Sequence, residues 1–296
     1  MKKLALLIVI LACFLVFGPM PAHAATSLET WCLDVGGSWS LHTCTISGDA
    51  GNNLGALDIL WAERLVITNE GTIYNEAVIS NRGDIYNQGT IYNQGTIDNE
   101  GTINNGIFND DIYNSSSVIN NEGTITNNGY ITLHNSSSVI NNEGGIYNAG
   151  TITNNGGMIN NGGMITNDNA ITNPGSINNV GDITNNGTII LYNRGNINNY
   201  GTITNNADIT LSNGSGAINI YETINNYGTI TNNGDITIAY GTTIHNNGTI
   251  TNNGFILSAG TISNYCEGIY YGNPPVGYPT TDVSCQTFLP VVETHP

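Results

Sequence analysis

Beyond Lys3 the chain contains no lysine, and apart from histidine its remaining cationic side chains are Arg64, Arg82 and Arg194. Against these stand 22 acids, so the chain after its first 24 residues carries a formal charge near −19. Nucleic acids and anionic membranes are bound through basic surface, and this composition excludes both as partners. Long apolar runs are equally scarce. One occurs, Leu4 to Phe17, and nothing like it follows, so no later segment is expected to span a bilayer. Catalytic signatures are missing too. There is no phosphate-binding loop with its lysine and no Gly-x-Ser-x-Gly. His42, His134, His245 and His295 are scattered and suggest neither a metal site nor a catalytic pair, so no cofactor is expected. Hydrolysis of sugars needs two facing carboxylates. The best local pair is Asp110-Asp111, but neighbouring strand residues point to opposite faces, and a solvated turn is the expected reading.

What is present is a repeat. From Gly83 to Gly106 the chain reads GDIYNQ-GTIYNQ-GTIDNE-GTINNG, a hexad Gly-Thr-Ile-x-Asn-x. Ile67, Ile73, Ile79, Ile85, Ile91, Ile97 and Ile103 follow at intervals of six, and the pattern continues with interruptions to Ile262. A period of six scatters the isoleucines around a 3.6-residue spiral, and Gly and Asn are poor helix formers, so a helix is disfavoured. In a strand, side chains alternate between faces. An inward Ile then brings Asn two residues later inward as well, while the flanking Thr and the variable residue point out. Glycine falls where the chain bends and a Cβ would clash. Short strands with tight corners and a fixed repeat specify a solenoid, in which each coil stacks on the last.

The inward Asn recurs two after Ile at Asn69, Asn75, Asn81, Asn87, Asn93, Asn99, Asn105, Asn127, Asn154, Asn185, Asn205, Asn232 and Asn252. A buried amide needs partners, and stacked coils supply them as ladders of the kind cross-β structures contain. At Leu133, Leu191, Leu211 and Ile238 an aliphatic residue replaces the Asn, and the gap to the next Ile widens, as from Ile131 to Ile140 and from Ile209 to Ile218. Ile189 to Ile209 and Ile236 to Ile256 are both twenty apart. A coil is therefore three hexads plus a short insertion, about 18–20 residues around a three-sided cross-section. Roughly ten coils stacked at about 4.8 Å give a rod of about 50 Å.

The ends depart from the repeat. Residues 1–24 read as a secretory signal peptide: Lys2 and Lys3, the apolar run, then Ala22-His23-Ala24 as a cleavage site. Residues 25–66 read as an N-terminal cap, residues 67–264 as the solenoid, and residues 265–296 as a C-terminal cap or tail. An open solenoid end exposes unpaired edges, so caps are expected. In an exported chain, Cys32 with Cys44 and Cys266 with Cys285 are expected to form local disulfides.

The stacked Gly-x-Ile-x-Asn units resemble the repeats of filamentous-haemagglutinin-type secreted adhesins, over about two thirds of the chain. That resemblance implies an all-β, single-stranded, right-handed parallel β-helix. The left-handed hexapeptide helix prefers a small or acidic residue after its aliphatic position, where this chain has mostly Tyr, Thr or Asn. The expected role is a non-catalytic, extracellular structural or adhesive element, with a cell-surface glycan, matrix or the chain itself as partner. Two other classes compete: an ice- or glycan-binding solenoid, and a carbohydrate-active β-helix enzyme. The candidate binding face is the outward set Thr124, Thr126, Thr184, Thr202, Thr204, Thr229, Thr231, Thr249 and Thr251, interrupted by Asp182. Threonine is also simply a good outward strand residue.

Overall fold

The computed structural model describes residues 26–282, except 53–54, 69–70, 107–110, 213–222 and 266. The signal segment 1–24, Asn69, Asp110, Ile218, His295 and the Cys266–Cys285 pair lie outside the described residues.

Each hexad forms a four-residue strand and a two-residue corner, as at Thr96–Asn99 and Thr102–Asn105. Ile and Asn are buried while the residues beside them face out, which is the alternation a pleated strand imposes. The strands assemble into three parallel sheets of 13, 12 and 13 members running the length of the rod. We call these the first, second and third sheets, because each coil visits them in that order. The repeat strands pair with their equivalents one coil away, most of them Ile on Ile and Asn on Asn, as in Ile97↔Ile119 and Asn99↔Asn121. The second sheet alone, with 12 strands at about 4.8 Å, spans about 53 Å.

The inward asparagines form three ladders of one polarity. Where the next coil also has an inward Asn, Nδ2 donates to its Oδ1, at 2.6–3.0 Å. In the third sheet the ladder is unbroken from Asn81 to Asn264. In the first sheet it runs from Asn87 to Asn252. The second N–H of the amide turns to the corner: Asn99 Nδ2 also reaches the carbonyls of Gly101 and Thr124 at 3.2 Å. One side chain thus ties its own corner to the next coil and to its ladder neighbour. The polarity has a cost at the head of a ladder. Asn81 is preceded by Ile59 and Asn154 by Leu133, and Oδ1 of both asparagines is buried without a donor.

Glycine at the corners answers to close approach rather than to φ. A Cβ on Gly101 would lie 2.2 Å from the Gly83 carbonyl oxygen, and the same clash recurs up the stack, at Gly123 against Gly101 and at Gly201 against Gly181. The coil below leaves no room for a side chain at that point.

Stacking begins earlier than the hexads do. Strands β3 (Thr43–Ile46), β4 (Asp49–Asn52) and β5 (Ala56–Ile59) already occupy the three sheets. The inward pairs of β3 and β5 are apolar, Cys44 with Ile46 and Leu57 with Ile59, while β4 pairs Ala50 with Asn52, so all three carry the alternation without the Ile-x-Asn signature. At the other end Ile269–Gly272, Val276–Gly277 and Thr281–Asp282 each extend a sheet. The coil containing Ile209 is also longer than the isoleucine spacing implies. The next described strand of the third sheet is Thr223–Asn226, with Ile224 opposite Ile197.

Three devices close the N-terminal end. Strand β1 (Thr26–Ser27) pairs with β5 on the third sheet. Strand β2 (Ser38–Ser40) folds back antiparallel on β3 and covers the first sheet. Helix α1 (Leu28–Asp34) lies over the core with Leu28, Trp31 and Cys32 buried, and Ser27 caps its first turn. The Trp31 indole N–H donates to the Gly51 carbonyl at 3.0 Å, satisfying the edge of the second sheet. The expected Cys32–Cys44 disulfide is formed and fastens α1 to the first coil.

Candidate functional site

Along the described strands the interior is filled by Ile and amides, and the exposed polar side chains lie on the outward files. On the first sheet the threonines align as their spacing implies. Thr166, Thr184, Thr204, Thr231 and Thr251 stand in register on consecutive strands, and Thr202, Thr229 and Thr249 form a parallel file beside them. The 27-residue step does not break the alignment, because the extra residues leave at the corner between the second and third sheets. Asp182 heads the shorter file next to Thr202. Thr124 and Thr126 are separated from the rest by Gly145 and Tyr147, with Met164 on the following strand. Thr166 belongs to the array, and the sequence reading missed it although it sits in the same Ile-Thr-Asn context.

Two outward amide ladders were also missed. On the third sheet Asn120 Nδ2 donates to Asp98 Oδ1 at 2.7 Å, and the chain continues through Asn141, Asn160, Asn178 and Asn198 to Asn225. At the corner between the first and second sheets a similar ladder runs from Asp168 through Asn186, Asn206 and Asn233 to Asn253. Both run opposite to the inward ladders. A carboxylate only accepts, so an Asp at the head obliges every following amide to donate back toward it. The available signal was recurrence at the coil period rather than at the hexad period.

The second sheet carries an aromatic stack. Tyr74, Tyr92 and Tyr113 lie on consecutive strands with ring centroids 5.2 Å apart and planes within 16°. Tyr92 is the middle of this stack. Asp111 lies beside Tyr113, and its charge, followed by burial and by Tyr92, raises the phenol pKa.

The catalytic candidates do not converge. Asp111 is an outward strand residue in register with Thr90 and Tyr130. His245 is held against Tyr265, whose hydroxyl lies 3.1 Å from Nδ1, and burial lowers its pKa. Among the described residues no group of three or more His, Cys, Asp or Glu is placed to hold a metal, and no helix is long and apolar enough to cross a membrane.

Residues 166–226 and 211–264 match the family described as Haemagglutinin repeat, about a third of the chain. No curated protein and no solved structure matches.

Proposed function

From a chain whose repeats fit the filamentous-haemagglutinin type of β-helix, we propose an exported, non-catalytic rod that works outside the cell as an adhesin-like structural or adhesive surface. The observation that carries the reading is the uninterrupted stack itself: three sheets whose interior is committed to Ile and Asn ladders, leaving display as the use of the molecule. Export rests on the charged start, apolar run and small-x-small site of residues 1–24. The test is fractionation of the producing cells together with retention of purified protein on cells and matrix. Recovery outside the cytoplasm with saturable retention supports the proposal; a cytoplasmic protein, or one that no surface retains, contradicts it.

A second reading has its own observation, the in-register Thr files of the first sheet. Hydroxyls and methyls at a constant step of about 4.8 Å form a lattice that suits an ordered ligand such as ice. Substituting Thr204 and Thr231 with Tyr roughens that face and leaves the core untouched. Inhibition of ice recrystallisation by the wild type, lost in this variant, is its expected outcome. No inhibition by the wild type removes it.

A further inference from the structure

The third sheet carries a groove along its outward face. Two adjoining cavities of about 320 and 380 Å³ share Asn141 and Glu143 and follow the rod axis. Their floor is the outward amide ladder. Their wall is the corner residue that follows each inward Asn: Glu100, Glu122, Glu143, Gly162 and Val180 on successive coils. Further along the same corner, Tyr200 and Tyr227 stack at 4.8 Å and stand half exposed.

The floor constrains the ligand. Asn120, Asn141, Asn160 and Asn178 each give one N–H and accept one bond within the ladder. An amide has two donors and two lone pairs, so each of these amides, about 4.8 Å apart, keeps one donor and one acceptor that the ladder does not use. An extended peptide lying along the axis repeats its same-side groups about every 6.7 Å, out of step with that floor. A β-linked hexopyranose chain advances close to one coil per sugar and offers hydroxyls that both donate and accept. The wall then selects by charge: Asp98, Glu100, Glu122 and Glu143 face Arg82 alone, and that arginine is held by Glu100 at 3.7 Å. Sulfated or uronate chains are repelled.

We propose that this groove binds a linear polysaccharide free of anionic groups, laid parallel to the rod axis. The inference rests on the adhesive reading of the rod. It is tested on purified protein, so its failure leaves localisation and cell retention to be judged separately.

The blocking variant follows from Gly162. The atoms nearest to a Cβ added there belong to the Glu143 carboxylate, at 2.7–3.0 Å, the movable end of a side chain rather than backbone. Gly162→Trp therefore projects into the second cavity, one coil beyond the Glu143 that both cavities share. If it melts below the wild type, Val180→Trp on the same exposed wall takes its place. Affinity electrophoresis in gels containing a neutral β-glucan, chitosan or hyaluronate reads binding, with Thr204→Tyr on the first sheet as control. The expected result is retardation by glucan or chitosan, at least tenfold weaker in the blocking variant, unchanged in the control and absent with hyaluronate. The proposal is overturned if neither uncharged nor amine-bearing chains retard the protein, if the blocked groove binds as well as the open one, or if hyaluronate binds best.

Discussion

Replacing Asn205 with Ala tests the inward ladder at one rung. Its Oδ1 accepts from Asn185 at 2.8 Å, and its Nδ2 donates to Asn232 Oδ1 at 2.7 Å and to the Ala207 and Asp235 carbonyls at 2.7 and 3.2 Å. Not all of these losses are equal. Asn185 keeps the carbonyls of Gly187 and Asp208 as acceptors. The Ala207 carbonyl keeps the backbone N–H of Asp235. What is orphaned is Asn232 Oδ1, fully buried and left without its donor. A buried polar atom stranded in this way costs about 1–3 kcal/mol. In a chain of this size 2 kcal/mol lowers the melting temperature by about 4–8 °C. Thr204→Ala, one residue away on the outward face, should stay within about 0.5 kcal/mol of wild type. Tyr92→Ala is the wrong control, because it breaks a stack with two neighbours. Thermal melts of the Asn205 and Thr204 variants decide the matter. Equal melting temperatures would refute the claim that the amides hold the coils together.

Leu133→Asn should be close to neutral: it gives up about 1.5–3 kcal/mol of apolar burial but joins Asn114 to Asn154 and supplies the missing donor for Asn154 Oδ1; a melt shifted by more than a few degrees either way counts against this balance. Gly101→Ala should fail to fold or melt far below wild type, because its Cβ meets the Gly83 carbonyl, whereas Gly162→Ala should express and melt normally; circular dichroism of the pair checks the contrast. Burial lowers the His245 pKa below its unfolded value near 6.5, so the unfolded chain binds the proton more readily. Stability from this group is therefore present above pH 6.5 and lost as pH falls through the lower folded pKa, and a pH series of melts should flatten over that window in His245→Gln.

The repeat made most of the fold legible. Ile and Asn two apart give the inward face, twenty-residue coils give three sides, and the Thr register follows even across the step from Thr202 to Thr229. The parts that escaped share a physical cause: they do not use the hexad. Strands β3 and β5 bury Cys44 with Ile46 and Leu57 with Ile59, and β4 buries Ala50 with Asn52, so none of them carries Ile-x-Asn and the stacking near Thr43 was not legible from the hexad. The outward ladders of Asn120 to Asn225 and Asn186 to Asn253 looked like ordinary polar surface until neighbouring coils were brought together. Face assignment is local to a strand; partnership across coils requires knowing each coil's length.

The asparagine side chains fall into two populations, sealed ladders inside and open ones outside. Selective 15N labelling of asparagine followed by hydrogen exchange of the side-chain amides reads them separately. The prediction is a slow set, including Asn99, Asn127 and Asn205, that exchanges only when the rod opens, and a fast set, including Asn160 and Asn206. A single fast population would mean that the amides are solvated and that something else holds the coils in register.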